Sequence, residues 1–298
     1  MKRIVLIFLV FFVAIFGCKK KPEQENLPPA MILVADPYLE LIQQEAEQYM
    51  SLYPKVKITV SSTTTRDAIV QLLNNNVRTI IVDRPFNKEE REVINNSSIM
   101  IRESVIAKDG IAVVVNKKNP TTQITIEQVY GIVSGEIKEW KEIDNPNSMG
   151  LIDLVLTGRN SGIYEFLKDS IFRLSEMIIP TTLANNQNGV IEKVYQNSTS
   201  IGFVASSLAY KSKDKVKILA IQIGKDKGKK GYLPGQQEIH ISLYPFKYSL
   251  YLYSTDPNPA VGLGFGAMIL SNIGQKIVQT AGLVPEIIPY RSIQLKSE

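Results

Sequence analysis

Met31-Ile32-Leu33-Val34-Ala35, Val56-Lys57-Ile58-Thr59-Val60 and Thr79-Ile80-Ile81-Val82 are three short runs separated by two stretches of helical character. The first and third are apolar at consecutive positions, as strands covered on both faces are, and the second alternates. Between them, Tyr38 to Tyr53 and Thr65 to Asn74 place apolar residues three and four apart. Strand, helix, strand, helix, strand is the order of a parallel sheet with helices on both faces, because two parallel strands need a long crossover between them. Ligands of such sheets bind beyond the strand C-termini, where helix N-termini converge. The residues that follow Ala35, Val60 and Val82 are therefore the first candidates for a site.

The same alternation continues downstream. Ile111 to Val115 is a fully apolar strand, Asn119-Pro120 marks a turn, and a helix begins at Thr125 with Glu127 and Gln128 in its first turn. Leu151 to Thr157 reads as a strand that leads through Gly158-Arg159-Asn160-Ser161-Gly162 into a helix from Ile163 to Phe172. A helix from about Gly189 to Gln196, a strand from Ile201 to Val204, the alternating Tyr244 to Tyr253 and helices over Ala260 to Thr280 complete the pattern. A chain of 298 residues has enough material for two α/β lobes.

Lys2-Arg3 precedes an unbroken apolar run from Ile4 to Phe16, followed by Gly17-Cys18 and Lys19-Lys20-Lys21. The run is too short to span a bilayer and has the layout of a secretory signal peptide. Ile15-Phe16-Gly17-Cys18 resembles a bacterial lipobox, in which the cysteine becomes the lipidated first residue of the mature chain; an uncleaved anchor and an ordinary signal are the alternatives. The expectation is a signal peptide with lipobox over 1–18, a polar tether over 19–26, lipid attachment at Cys18, and a soluble body outside the cytoplasm, in the periplasm or at the cell surface.

Composition narrows the function classes. With 44% hydrophobic and 21% charged residues the body is globular, and the net charge of +5 shrinks by two once Lys2 and Arg3 are removed. Several of the lysines fall between Lys211 and Lys230 among glycines, which reads as a solvated loop, so nucleic acid is not an expected partner. One histidine and one cysteine leave transition-metal sites poorly supplied, and no cofactor is expected. His240 reads as an ordinary strand residue. Nothing supplies a nucleophile with an adjacent base, so the chain is not read as an enzyme.

Four separated stretches then carry a resemblance. Asp109-Gly110-Ile111-Ala112-Val113-Val114-Val115-Asn116, Asn119-Pro120, Ile124 to Val129 and Gly135-Glu136-Ile137-Lys138-Glu139-Trp140 together resemble the central signature of the phosphate-binding proteins of ABC importers, the PstS-like family. Arg159 to Phe166 is similar to that family's arginine-serine-glycine phosphate loop, and Ser200-Ile201-Gly202-Phe203-Val204 to its strand entering the crevice. Tyr244-Pro245 through Gly274-Gln275-Lys276 to Gly282-Leu283-Val284-Pro285 resembles its return crossover and C-terminal helix. The resemblance implies a two-lobe type II periplasmic-binding-protein fold. Each lobe would be a mixed, mostly parallel sheet flanked by helices, with two crossover strands as the hinge. Lobe one would contain 27–108 and 244–298, and lobe two 109–243. It also implies a monomer that takes inorganic phosphate or a related anion between its lobes and passes it to an ABC permease complex.

Candidate ligand residues follow from residue chemistry and from the resemblance together. Arg159, Ser161 and Gly162 stand before a helix N-terminus, where a guanidinium, a hydroxyl and orphan backbone N–H groups suit an oxyanion. Thr65, with Thr64 beside it, aligns with the family's phosphate-binding serine, and an N-cap is the alternative reading of Thr65. Asp83 matches the family's aspartate, which accepts a hydrogen bond from the proton that phosphate retains near neutral pH, and Arg84 adjoins it. Three departures stand out. The first ligand loop is reduced to Ala35-Asp36-Pro37, the second reads Arg66-Asp67-Ala68, and Ile163 replaces a threonine. These changes remove neutral donors and add charge, which leaves open another phosphorylated anion, or a same-fold lipoprotein that senses or acts through protein contacts.

Overall fold

The computed structural model describes residues 29–143, 150–171, 180–224 and 230–290; the signal peptide, Cys18 and the tether lie outside them. The first half runs β1 (Ala30–Ala35), α1 (Leu39–Leu52), β2 (Ile58–Thr63), α2 (Thr65–Leu73), β3 (Thr79–Val82), α3 (Lys88–Asn95) and the long β4 (Arg102–Asn116). Then come β5 (Gln123–Thr125), α4 (Ile126–Ser134), β6 (Asp153–Thr157), α5 (Gly162–Glu165), β7 (Thr182–Ala184), α6 (Gln187–Gln196) and β8 (Ser200–Ala205). The chain closes with α7 (Ser206–Lys211), β9 (Val216–Ile218), β10 (Ala220–Gln222), α8 (Gln236–His240), β11 (Lys247–Ser254), α9 (Gly266–Ile269), α10 (Asn272–Thr280) and β12 (Val284–Pro285).

The main sheet has the order β2-β1-β3-β11-β4-β8-β6-β7. β1 lies parallel to β2 and β3, while β11 returns antiparallel between β3 and β4. β6 is parallel to β7 and β8, and β4 is antiparallel to β8. This is the two-lobe, mixed α/β architecture the sequence implies. β4 joins the lobes: Arg102 to Gly110 pairs with β11, and Ile111 to Val115 pairs with β8. The handover is fastened from the return strand, since Ile111 N–H donates to the Phe246 carbonyl at 2.7 Å and the Tyr244 hydroxyl donates to the Ile111 carbonyl at 2.7 Å.

Local chemistry accounts for the element ends. Thr125 caps α4 in a reciprocal capping box with Gln128, and Gly135 ends it in the left-handed region at φ 80°, where a side chain would be strained. Residues Asp109 to Asn116 of β4 are all buried, as their near-continuous apolar character requires. The expectation for His240 is corrected. It ends the short helix α8 and is exposed, because Ile239 alone of that segment is held in the core and Ser242, at φ 64°, turns the chain before β11.

Helix α1 carries an unusual burden. Glu45 is completely buried among Leu41, Ile42, Ala46 and Tyr49, and neither carboxyl oxygen has a hydrogen-bond partner among the described residues. Burial pushes its carboxyl up to about 9, so it is neutral at physiological pH. The unfolded chain ionises near 4.5 and the folded chain only near 9. Stability should therefore be complete below the lower value and decline as pH rises between the two, by about 1.4 kcal/mol per pH unit. Urea unfolding of wild type and Glu45→Gln at pH 5 and pH 8 checks this: the glutamine variant should gain on wild type at pH 8, and parallel pH profiles would refute it.

Candidate functional site

Between the lobes lies a cleft of about 710 Å³. Lobe one contributes Asp36 after β1 and Ser62 to Thr65 at the junction of β2 and α2; lobe two contributes Thr157 to Gly162 after β6 and Leu183 to Gln187 around the start of α6. These are the C-terminal ends of strands and the N-terminal ends of helices, where the strand order anticipates a ligand.

The structure separates the roles of the two threonines. Thr64 is the N-cap of α2: its hydroxyl accepts from Asp67 N–H at 3.2 Å and donates to the Asp67 carboxylate at 2.6 Å. Thr65, relieved of capping, is buried and donates its hydroxyl to Asp83 Oδ1 at 2.5 Å. Across the cleft Ser161 caps α5, accepting from Tyr164 N–H at 3.2 Å and from the Thr157 hydroxyl at 2.6 Å. Neither of these bonds uses the Ser161 hydroxyl proton. Arg159 is exposed on the cleft wall.

Asp83 and Gly162 meet from opposite lobes. A Cβ placed on Gly162 would overlap the Asp83 carboxylate, so only glycine permits this approach. Asp83 is 2% exposed, and burial pushes its carboxyl up to about 6 against the opposing influence of Thr65, its own backbone N–H and Arg84. It remains mainly ionised at neutral pH.

Like Asp83, Arg84 is not brought to the cleft lining. Its guanidinium is buried in a fork with Glu90 of α3, at 2.8 and 2.9 Å, and its Nε donates to Glu165 of α5 across the lobe boundary. Glu90 itself is fixed by the α3 capping box with Asn87. Burial raises the Glu165 carboxyl while Arg84 holds it down. Arg84 thus ties the lobes together, with its charge consumed by two carboxylates. Two further links close the same boundary: Arg66 N–H donates to the Asn160 carbonyl at 3.1 Å, and Gln187 N–H to Asp36 Oδ2 at 2.9 Å.

A polar cluster at the hinge went unread in the sequence. Asp109, fully buried at the point where β4 changes lobes, accepts from Gly110 N–H at 2.7 Å, the Ser207 hydroxyl at 2.6 Å, the Ser206 hydroxyl and the Tyr38 hydroxyl at 3.2 Å. Tyr38 also pairs with Tyr248 of β11. Desolvation raises the Asp109 carboxyl and these donors oppose it. The only available signal was a lone aspartate at the head of an apolar strand. Among the described residues, no group of three or more His, Cys, Asp or Glu side chains is arranged to hold a metal ion.

The profile of the PBP superfamily domain matches residues 20–272. The chain belongs to this superfamily. Within it the chain is PstS-like: the phosphate-binding protein PstS of Staphylococcus aureus is 23% identical over 214 residues, covering 72% of this chain and 64% of that protein. The match therefore spans just under two thirds of the length of such curated relatives. Among solved structures, a substrate-binding protein from Clostridium perfringens with bound phosphate superposes with a TM-score of 0.75 at 21% identity, over 87% of this chain and 99% of that one. An ABC-type phosphate transport receptor from Vibrio cholerae gives 0.65 at 22%, over 86% and 99%. At these identities the structural likeness establishes the fold.

The Gly162 contact yields a direct test. Gly162→Ala should lower the melting temperature by a few degrees, since overpacking at such a contact costs about 1–3 kcal/mol. In an Asp83→Ala background the same substitution should cost markedly less; equal costs in both backgrounds would show that the two residues do not meet.

Proposed function

We propose that this PBP-superfamily protein is an extracytoplasmic, lipid-anchored receptor that captures inorganic phosphate between its lobes and delivers it to an ABC permease. The observation that carries this reading is the convergence, on one cleft, of Thr64 and Thr65 from lobe one with Arg159, Ser161 and Gly162 from lobe two. Lobe one is taken as 27–108 with 244–298 and lobe two as 109–243. A ligand that touches both lobes favours the closed state by its differential contacts, which is how a hinged pair converts binding into a signal for a permease. Lipid at Cys18 would hold the monomer at the membrane, each buried methylene contributing about 0.8 kcal/mol.

In this reading each group has a distinct task. Arg159 supplies the countercharge and a planar fork for two oxygens. Ser161 supplies a hydroxyl donor, and Thr65, its own proton given to Asp83, holds that carboxylate in place beside Gly162. Asp83, which stands behind Thr65 and Gly162 and off the cleft lining, would accept the hydrogen bond of the proton that phosphate keeps near neutral pH once the lobes part at Gly162. Sulfate has no such proton and meets a carboxylate instead, so selectivity arises from repelling the wrong anion. The protein binds and releases its ligand unchanged, as a receptor and not a catalyst.

Calorimetric titration of ligand-stripped protein with phosphate and sulfate tests the proposal. Phosphate should bind without sulfate competition at pH 7.5, and Arg159→Ala should weaken it by at least about thirtyfold, the scale expected when one partner of a desolvated charge pair is truncated. Because Asp83 titrates at about 6, sulfate should begin to compete as pH falls from 7 to 5, when the carboxyl becomes a donor. Asp83→Asn should show that competition at every pH. Absence of any heat or melting shift at saturating phosphate would sink the reading.

A further inference from the structure

The cleft is larger than an inorganic oxyanion needs. Its volume is about 710 Å³, whereas one water's share of the liquid is roughly 30 Å³, which puts a five-heavy-atom anion on the order of a hundred. Cavities of roughly 300–1,000 Å³ are the size that organic ligands occupy. The lining is also not uniformly suited to an anion. Leu183 is 62% exposed on the wall of lobe two, offering apolar surface to whatever enters. Asp36 brings a carboxylate into the same space from lobe one, where the PstS-like pattern has a neutral donor loop.

Asp36 is held in place there. Its backbone N–H donates to the Thr63 carbonyl at 3.2 Å, its carbonyl accepts from Gln187 Nε2 at 3.2 Å, and its Oδ2 accepts from Gln187 N–H at 2.9 Å. Oδ1 accepts no hydrogen bond among the described residues. The influences on its titration are burial, which raises it, and the Gln187 N–H, which lowers it; no cation contributes. A bare phosphate brought into this cleft therefore meets a carboxylate that no side-chain cation pairs among the described residues, while a ligand that carries its own cation meets a partner.

We infer that the cleft selects free phosphomonoesters whose short carbon chain ends in an ammonium group: the phosphate on Arg159 and the Ser161 hydroxyl, the chain along Leu183, the ammonium on Asp36 Oδ1. The inference rests on the phosphate reading of the cleft and adds to it the chemistry at its other end. An ammonium–carboxylate pair in a partly desolvated site is worth a charge-assisted hydrogen bond, so the selectivity should exceed that of a neutral contact.

The test is calorimetry on ligand-stripped mature protein with inorganic phosphate, ethyl phosphate, phosphoethanolamine and N-acetylphosphoethanolamine. Phosphoethanolamine should bind at least about tenfold more tightly than ethyl phosphate, and acetylation of the amine should erase that advantage in the unaltered protein. In Asp36→Asn, with folding verified by its melting curve, the ratio of the two ester affinities should fall to within about threefold. Equal binding of the esters, exclusion of both while inorganic phosphate binds, or a preference that survives in Asp36→Asn would each overturn the inference and leave the phosphate reading standing. Binding of none of the four would overturn both.

Discussion

One strand belongs to both lobes, and the rest of the molecule is arranged around that fact. β4 pairs with β11 over Arg102 to Gly110 and with β8 from Ile111 onward, so the two halves of the sheet share a covalent and hydrogen-bonded axis. A buried strand cannot bend freely at an arbitrary place, because every displaced backbone group must find another partner. The handover is instead built at Asp109, where a buried carboxylate gathers donors from α7, from Tyr38 beside β1 and from the backbone. Those hydrogen bonds join segments of both lobes at the hinge itself. The cleft opens beyond the strand ends on either side of this axis.

Closure is then a question of which charges meet across the boundary. Arg84 enters between Glu90 of its own lobe and Glu165 of the other, almost fully buried. Such a cluster adds little net stability against an apolar equivalent, yet removal of one member leaves a buried charge without a partner. Its effect is on the geometry of closing: the lobes must meet so that Glu165 reaches Arg84. The same registration brings Gly162 against Asp83 and the Asn160 carbonyl onto Arg66 N–H. Three contacts of different chemistry therefore agree on one arrangement of the lobes. Arg84 is spent in holding it, and Arg159 is the guanidinium that faces the cleft.

Much of this was legible in the residues. Thr79 to Val82, buried throughout, matches β3, and α4 begins one residue after Thr125 because its cap and capping-box partner are both local. Local chemistry of that kind needs no tertiary context. The first half of β4 was missed because Arg102, Glu103, Lys108 and Asp109 break the apolar run, and pairing with β11, and with β12 at Ala107 and Lys108, holds that stretch extended. The helix expected from Ile163 to Phe172 is divided: α5 gives way at Phe166 to a π-helical turn reaching Ile171, and nothing in the residue pattern marks the change. The loops that carry Thr64, Thr65 and Arg159 to Gly162 were picked out by residue type and position and line the cleft, whereas the engagement of Arg84 by Glu165 joins residues far apart in the chain and has no local signature.

The carboxylates decide what kind of anion site this is. Asp83, Asp36 and Glu165 all lie at the lobe boundary, and all are raised by burial. Each is treated differently by the fold. Glu165 is neutralised by Arg84, Asp83 is satisfied by Thr65 and can read a proton, and Asp36 is steadied by a helix-terminal amide with one oxygen left over. A cleft evolved for a bare oxyanion would minimise such groups, since each unpaired negative charge works against the ligand at low effective dielectric. Their presence makes sense if the ligand brings hydrogen-bond donors of its own, a proton toward Asp83 and a cation toward Asp36. On the proposed reading, the asymmetry of the two carboxylates, one sheltered behind a threonine and one open to the cleft, matches the two ends of one ligand.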